Sequence, residues 1–192
     1  MYDLFLNKIN EKVHLTNEER EKIKSYLTFK KLRKNQYFLQ EGDDAKYLAF
    51  VEKGALRQYS VDDEGGVHIV QFAIEGWTVS DLYGFFTGEK ASYNIDAIED
   101  SELVVIDRQS NEEMLATIPK YETYTRLQIT GAYIAMQKRL NSITTLSLEE
   151  RYKEFTKAYP NLHERFPQHM IASYLGLQPA TLSRIRRRIS EK

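Results

Sequence analysis

The sequence predicts an α+β protein with three parts: an N-terminal antiparallel β domain, a long central helix and a C-terminal helix-turn-helix. Three observations lead to this prediction. Short β-rich runs separated by turns fill residues 36–106, apolar residues recur at heptad spacing beyond Pro119, and two small residues near the C-terminus have the spacing of crossing helices. We expect the boundaries to lie at 1–118 for the β domain, 119–145 for the central helix and 146–192 for the helix-turn-helix domain.

The composition is that of an ordinary globular protein. The 192 residues are enough for one large core or two small ones, with 42% hydrophobic and 29% charged residues. No run approaches the ~18 apolar residues that cross a bilayer, and no basic segment followed by an apolar core opens the chain. We therefore expect a cytoplasmic protein that does not engage a membrane.

The absence of cysteine excludes several chemistries. Disulfides, thiolate nucleophiles, cysteine-ligated zinc and cysteine-ligated iron–sulfur clusters all require it. The four histidines (His14, His68, His163 and His169) are scattered along the sequence rather than clustered as metal or haem ligands would be. No Gly-x-Ser-x-Gly elbow, phosphate-binding loop or dinucleotide fingerprint occurs. The sequence predicts neither an enzyme nor a bound cofactor.

The first part opens with a helix and continues as strands. Thr16 and Glu19 have the spacing of a capping box, which predicts a helix start. The predicted strands, rich in β-branched and aromatic residues, are Gln36–Leu39, Tyr47–Glu52, Ala55–Ser60, Val67–Ala73 and Glu102–Ile106. Turn residues such as those of 62–66 separate them. Strands this short and this regularly spaced indicate an antiparallel sandwich or a jelly roll.

A long helix is predicted beyond Pro119. Its apolar residues recur at spacings of four, three, four and three, which is a heptad seam. The seam residues are Ile129, Tyr133, Met136, Leu140 and Ile143. The same pattern fits an amphipathic helix that packs on its own domain. The C-terminal motif decides which interpretation we prefer.

Residues 168–187 carry the most informative pattern in the chain. Ala172 and Gly176 lie four apart, so a second helix can cross closely at the alanine and the chain can turn at positive φ at the glycine. The apolar frame around the pair consists of Ile171, Leu175, Leu177, Leu182 and Ile185. Pro179 falls in the first turn of the second helix, where a missing N–H costs little. The combination predicts a helix-turn-helix.

The exposed face of the second helix is predicted to bind double-stranded DNA. Its hydroxyl, amide and guanidinium groups can reach base edges and phosphates in a major groove. The candidate DNA-binding residues are Gln178, Thr181, Ser183, Arg184, Arg187 and Arg188. We expect Arg184 to contact a base and residues 186–188 mainly to contact phosphates. Because two-fold dimers usually read two half-sites, DNA binding favours the heptad seam as a homodimer interface.

The charge distribution supports this interpretation, although net charge is −1. Residues 163–192 carry six basic and two acidic residues, which gives +4, and the preceding 162 residues carry 21 basic and 26 acidic residues, which gives −5. A basic tip on an acidic body concentrates phosphate attraction at one end.

Two alternatives remain: a plain helical hairpin with a solvated basic end, and a ligand-binding or protein-docking module whose basic helix contacts an acidic partner.

The order of these parts resembles the Crp/Fnr superfamily of bacterial transcription regulators. The resemblance spans nearly the whole chain and rests on 38–43 with Gly42, 50–57 with Gly54, 76–82, Ile118-Pro119 and 172–184. It implies a cyclic-nucleotide-binding jelly roll as sensor domain, a dimerising central helix and a winged helix-turn-helix. It also implies a homodimer bound to double-stranded DNA, with RNA polymerase as a candidate further partner.

The resemblance also points to a pocket, in which this sequence departs from the family pattern. In cyclic-AMP-binding members a Gly-Glu-Leu segment binds the ribose, an Arg-Ser pair ten residues on binds the cyclic phosphate, and central-helix residues recognise adenine. The corresponding candidate residues are Ser80, Asp81, Leu82, Ser92, Met136 and Gln137. Asp81 could still accept from a ribose hydroxyl. Ala91 replaces the arginine and cannot pair with a phosphate, and Lys90 beside it should face the other side of a strand. We expect weak cyclic AMP binding or none, and either another small-molecule effector or no effector.

Overall fold

The computed structural model describes residues 1–190, which form two compact units. The first unit comprises Met1–Ser60 and Val70–Ile129, and the second comprises Val61–Ile69 and the residues from Thr130 onward. Within the described residues, no helix combines the length and the apolar character needed to cross a membrane.

The first unit contains two four-stranded antiparallel sheets. Its strands are β1 (Thr28–Leu32), β2 (Tyr37–Leu39), β3 (Tyr47–Lys53), β4 (Leu56–Val61), β5 (Val67–Ala73), β6 (Thr78–Val79), β7 (Asn94–Ala97) and β8 (Ser101–Asp107). One sheet has the order β1-β8-β3-β6 and the other β2-β7-β4-β5, so neighbouring strands are mostly distant in sequence. This is the jelly-roll-like arrangement that the sequence predicted.

The five predicted strands are confirmed to within one residue at every end, and three further strands were missed. Strand β6 has two residues, β7 reads Asn-Ile-Asp-Ala, and β1 carries two lysines, so none has a strong β signal. Strand β1 is held instead by its pairing with β8, in which Thr28 faces Val105. Long-range pairing of this kind leaves little trace in local sequence.

Two apolar clusters form the core of the first unit. One lies between the sheets and includes Val51, Leu56, Ile95, Ala97 and Leu103. The other packs helices against one sheet and includes Phe5, Ile9, Phe50, Met114 and Tyr121. The helices of the first unit are α1 (Asp3–Val13), α2 (Asn17–Lys24), α3 (Leu82–Thr87), α4 (Arg108–Thr117) and the start of α5 (Pro119–Thr145), and α3 contributes no residue to this second cluster. The predicted capping box at Thr16 and Glu19 opens α2, and α5 confirms the long central helix.

The second unit is built from helices around a small apolar core. Beyond α5 come α6 (Leu148–Ala158), α7 (Leu162–Arg165), α8 (Gln168–Tyr174) and α9 (Pro179–Ser190). The core residues are Tyr152, Phe155, Leu162, Phe166, Ile171, Ala172, Leu175, Leu177, Leu182 and Ile185, all buried. Helices α8 and α9 are the predicted helix-turn-helix. Residues 130–190 contain no strand, so the wing implied by the resemblance does not occur in them. The short helix α7 forms in the connection between α6 and α8.

The turn between α8 and α9 is a Schellman motif. Gly176 has φ +70°, its N–H donates to the Ser173 carbonyl at 3.0 Å, and the Leu177 N–H donates to the Ala172 carbonyl at 2.8 Å. These two bonds satisfy the last carbonyls of α8 and set the direction in which α9 leaves. The predicted role of Gly176 as the turn residue is therefore confirmed.

Replacing Gly176 with alanine should destabilise the second unit by about 1–2 kcal/mol, because an L-residue is strained at positive φ. The added Cβ meets nothing closer than the Arg151 side chain at 3.9 Å, so the effect should come from backbone strain alone. Gly131 lies inside α5 with no atom within 4 Å of an added Cβ. Gly131→Ala should therefore stabilise the protein by about 0.5–1 kcal/mol. Thermal denaturation measures the stability of both variants. Equal changes in their melting temperatures would argue against backbone strain at Gly176.

Candidate DNA-binding surface and candidate ligand pocket

The exposed face of α9 is centred on Ser183, Arg184 and Arg187. All three are exposed, while Leu182 and Ile185 on the other side of the helix are buried. Positions 180, 183, 184 and 187 share one face of a helix because they lie three and four residues apart. This face of α9 therefore presents one hydroxyl and two guanidinium groups to solvent.

The other candidate DNA-binding residues lie around this face. Gln178 is exposed and stands just before the helix, and its carbonyl accepts from the Thr181 N–H at 3.0 Å. Thr181 is half-buried at the edge of the face rather than at its centre. Arg188 is exposed, with a long 3.9 Å ion pair to Glu149 that contributes little in water. A phosphate could displace that pair at low cost.

Arg186 differs from its neighbours. Its Nη1 donates to Oε1 of Gln168 at 3.3 Å, and Gln168 is the first residue of α8. The guanidinium therefore links the two helices of the motif. That residues 186–188 mainly contact phosphates stays a prediction, and the bond of Arg186 to Gln168 could not be predicted from sequence spacing.

Two half-buried arginines hold the motif in place within the second unit. Arg151 of α6 donates to the Leu175 carbonyl at 3.2 Å and to the Ile143 carbonyl at 3.0 Å. Arg139 of α5 stacks over the Tyr174 ring at 3.9 Å and donates to the Tyr174 carbonyl at 2.8 Å. Burial raises the pKa of the Tyr174 phenol, so its ring stays neutral beneath the cation. Arg151 thus links carbonyls at the ends of α5 and α8, and Arg139 adds a second bond at the end of α8.

A hairpin tip completes the second unit. Residues 61–69 contact α8 through Ser173, whose hydroxyl donates to the Val67 carbonyl and accepts from the Ile69 N–H, both at 2.9 Å. Within the tip, Nε2 of His68 lies 2.6 Å from Oδ2 of Asp62, and this contact holds the pKa of Asp62 below its usual range. Ser173 lies more than 100 residues from Val67 and Ile69 in sequence, so sequence patterns could not predict its contact with the hairpin tip.

In the candidate pocket, Asp81 does not present a free carboxylate. It is 1% exposed and caps α3, where Oδ1 accepts from the Gly84 N–H at 3.1 Å. Oδ2 accepts from the Ser92 N–H at 2.7 Å. The expectation that Asp81 could accept from a ribose hydroxyl does not fit this arrangement, because both oxygens are already bound and the group is closed to solvent.

The residues around Asp81 also do not fit a cyclic phosphate. Ala91 is 4% exposed in the core between the sheets. The Lys90 ammonium lies at the surface, where it binds Oδ1 of Asp44 at 2.6 Å, as expected for a neighbour facing the other way. Ser80 is buried and its hydroxyl donates to the Tyr47 carbonyl. The structure thus brings Ser80, Asp81 and Ser92 together. Neither Ala91 nor Lys90 places a positive charge beside them.

The remaining pocket candidates are exposed. Leu82 is 50% exposed on α3. Met136 is exposed on α5, and Gln137 donates to the Tyr133 hydroxyl on the same helix at 2.9 Å. Their assignment to a pocket stays a prediction. Among residues 1–190 no three metal-ligating His, Asp or Glu side chains come together.

The seam of α5 is an exposed apolar stripe. Its five predicted residues are between 43% and 60% exposed, and they are Ile129, Tyr133, Met136, Leu140 and Ile143. The buried residues of α5 within the described chain are Tyr121 and Tyr124, near its start. The alternative of a helix packed by this face on its own domain does not fit these exposures.

Comparison with known proteins agrees with this architecture. The cyclic nucleotide-binding domain family matches residues 29–118, which covers most of the first unit. The fumarate and nitrate reduction regulatory protein of Vibrio cholerae is 24% identical over 172 aligned residues, covering 81% of this chain and 66% of the relative. The chain thus spans just under two thirds of the length of that curated relative.

Solved structures show the same fold. FixK2 from Bradyrhizobium japonicum superposes with a TM-score of 0.75 and 20% identity, covering 86% of this chain and 85% of that one. A putative transcriptional regulator of the Crp/Fnr family from Eubacterium rectale superposes with a TM-score of 0.68 and 17% identity, covering 92% and 84%. The domain match, the similarity to a curated regulator and the shared fold agree with the resemblance seen in the sequence. Residues 29–118 match the cyclic nucleotide-binding domain family, and the chain is similar to regulators of the Crp/Fnr type.

Proposed function

We propose that this protein is a sequence-specific DNA-binding transcriptional regulator that acts as a homodimer. The observation that carries the proposal is the face of α9, where Ser183, Arg184 and Arg187 stand exposed above the buried Leu182 and Ile185. A helix that presents guanidinium and hydroxyl groups after a tight turn has the form of a recognition helix in a major groove. The role also implies RNA polymerase as a further partner.

The dimer is proposed to form along α5. An apolar stripe of five residues, each at least 43% exposed, is costly in water and is relieved when a second helix covers it. Heptad spacing suits a second copy of the same helix. In this arrangement residues 1–118 form the sensor domain, 119–145 the dimerisation helix and 146–192 the DNA-binding domain.

An electrophoretic shift assay tests the proposal. The dimer should bind one duplex sequence in preference to bulk random duplex, with the preference surviving excess competitor. A protein-docking module with a basic helix would bind all duplexes alike or none. Equal competition by specific and random DNA would therefore contradict the regulator and favour the docking module.

Cyclic AMP should not control this regulator. Ala91 stands where a phosphate-pairing arginine is expected, and losing such a charge-assisted contact should cost about 2–5 kcal/mol. Titration calorimetry with cyclic AMP should give no binding in the micromolar range. Micromolar affinity would contradict the proposal and would make Lys90 the first residue to test as a phosphate partner.

A further inference from the structure

The buried carboxylate of Asp81 connects two segments of the first unit, the start of α3 and the backbone at Ser92. The side chain of Asp81 is 1% exposed, and its two oxygens accept from the backbone N–H groups of Gly84 and Ser92. These donors lie eight residues apart in sequence and converge on one anion. An ionised carboxylate is stable inside a protein when such donors replace its hydration.

The neighbouring residues fix this closed form. The Ala91 N–H donates to the Asp43 carbonyl at 2.9 Å, and the Ala91 carbonyl accepts from the Gly42 N–H at 2.8 Å. These bonds place Ala91 in the core and hold the Ser92 N–H toward Asp81. On the other side, the buried Gln58 amide donates to the Ser80 carbonyl at 3.3 Å. The polar groups beside the carboxylate are therefore already engaged with backbone.

We propose that Asp81 is a built-in anion, whose carboxylate takes the place of an anionic ligand on the N–H groups of Gly84 and Ser92. Backbone N–H groups that converge in this way form an anion-binding concavity. Here the protein supplies the anion itself, so residues 81–92 adopt their folded form without a ligand. A second anion, including a cyclic phosphate, would meet a like charge and occupied donors.

The consequence concerns regulation as well as folding. A sensor domain that carries its own anion is held in one form whether or not a nucleotide is present. DNA binding by the full chain should therefore be unchanged by added cyclic nucleotide. The anion itself is a property of the first unit, and its test does not depend on whether the protein binds DNA.

Chemical rescue tests the inference. Asp81→Ala leaves the N–H groups of Gly84, which is buried, and of Ser92 unpaired beside a cavity of carboxylate size, which should lower the melting temperature by roughly 5–10 °C. Formate matches the lost group, so sodium formate should raise the melting temperature of the variant in proportion to the logarithm of its concentration, as binding to the folded state requires. Sodium chloride at equal ionic strength should not.

Asp107→Ala is the matched control. Asp107 also caps a helix, with Oδ1 accepting from the Ser110 N–H at 2.9 Å, but it is partly exposed at the start of α4. Its loss should lower the melting temperature without any recovery in formate, because the carboxylate of Asp107 is partly exposed and water can take its place. The wild-type protein should show no formate effect either.

A second variant covers the case in which Asp81→Ala does not fold. Asp81→Asn keeps the volume, removes the charge and places an amide donor against a backbone donor, so it should be destabilised and should not recover in formate. For an unfolded Asp81→Ala, the yield of refolding from urea with and without formate is the readout. Absence of formate-specific recovery, or an Asp81→Asn variant as stable as wild type, would overturn the proposal.

Discussion

Replacing Leu140 with glutamate is expected to convert the proposed dimer into monomers. Leu140 is 58% exposed in the single chain and lies within the apolar stripe of α5. A glutamate there would bury an unpaired charge in the dimer contact and weaken association by several kcal/mol. Because the side chain is exposed in the single chain, the fold of each monomer should be unchanged by circular dichroism.

Lys138→Glu provides the matched control for this experiment. Lys138 is exposed and lies two residues from Leu140, which places it on the opposite face of the helix. The same new side chain at this position should leave the dimer intact. Sedimentation at tens of micromolar measures both variants. A wild-type monomer at that concentration, where a ~7 kcal/mol interface would still hold, would refute the dimer.

Replacing Arg184 with alanine is expected to weaken binding to the preferred DNA site by about 1–3 kcal/mol and to remove discrimination at one base position. A guanidinium at the centre of the exposed face of α9 can engage O6 and N7 of guanine together. Binding to random duplex should change much less, because non-specific affinity comes from phosphate contacts.

Arg187→Ala and Arg188→Ala are the comparison variants. Each should weaken specific and random duplexes alike and lower the slope of log affinity against log salt by about one. A salt titration on both kinds of DNA separates the two classes of arginine. If Arg184→Ala instead weakens both duplexes equally and leaves the base preference intact, Ser183, Gln178 or Thr181 becomes the better candidate for a base reader.

Local patterns in the sequence predicted α2, α5, α8 and α9, but not the other helices. The capping box of α2, the length of α5 and the turn at Gly176 each depend on residues within one or two helical turns of each other. The strands with β-branched and aromatic residues were predicted for the same reason. Such patterns describe local backbone preference, and these helices and strands form mainly because of that preference.

Contacts between distant residues could not be predicted. Strand β1 depends on its pairing with β8, and Ser173 binds a hairpin tip more than 100 residues away. The role of Asp81 required the position of the Ser92 N–H, which depends on how the intervening loop folds. The sequence placed Asp81 and Ser92 in one pocket, but it could not show that the Asp81 carboxylate already binds the Ser92 N–H.

Selection of binding sites from a pool of random duplexes tests the central claim most directly. A dimeric regulator with α9 as its recognition helix should enrich one sequence with two-fold-symmetric half-sites, spaced about one helical turn apart or a multiple of it. The enriched site should lose its advantage in the Arg184→Ala variant. A pool that remains random after repeated selection, while the protein binds all duplexes with the same salt dependence, would contradict the account.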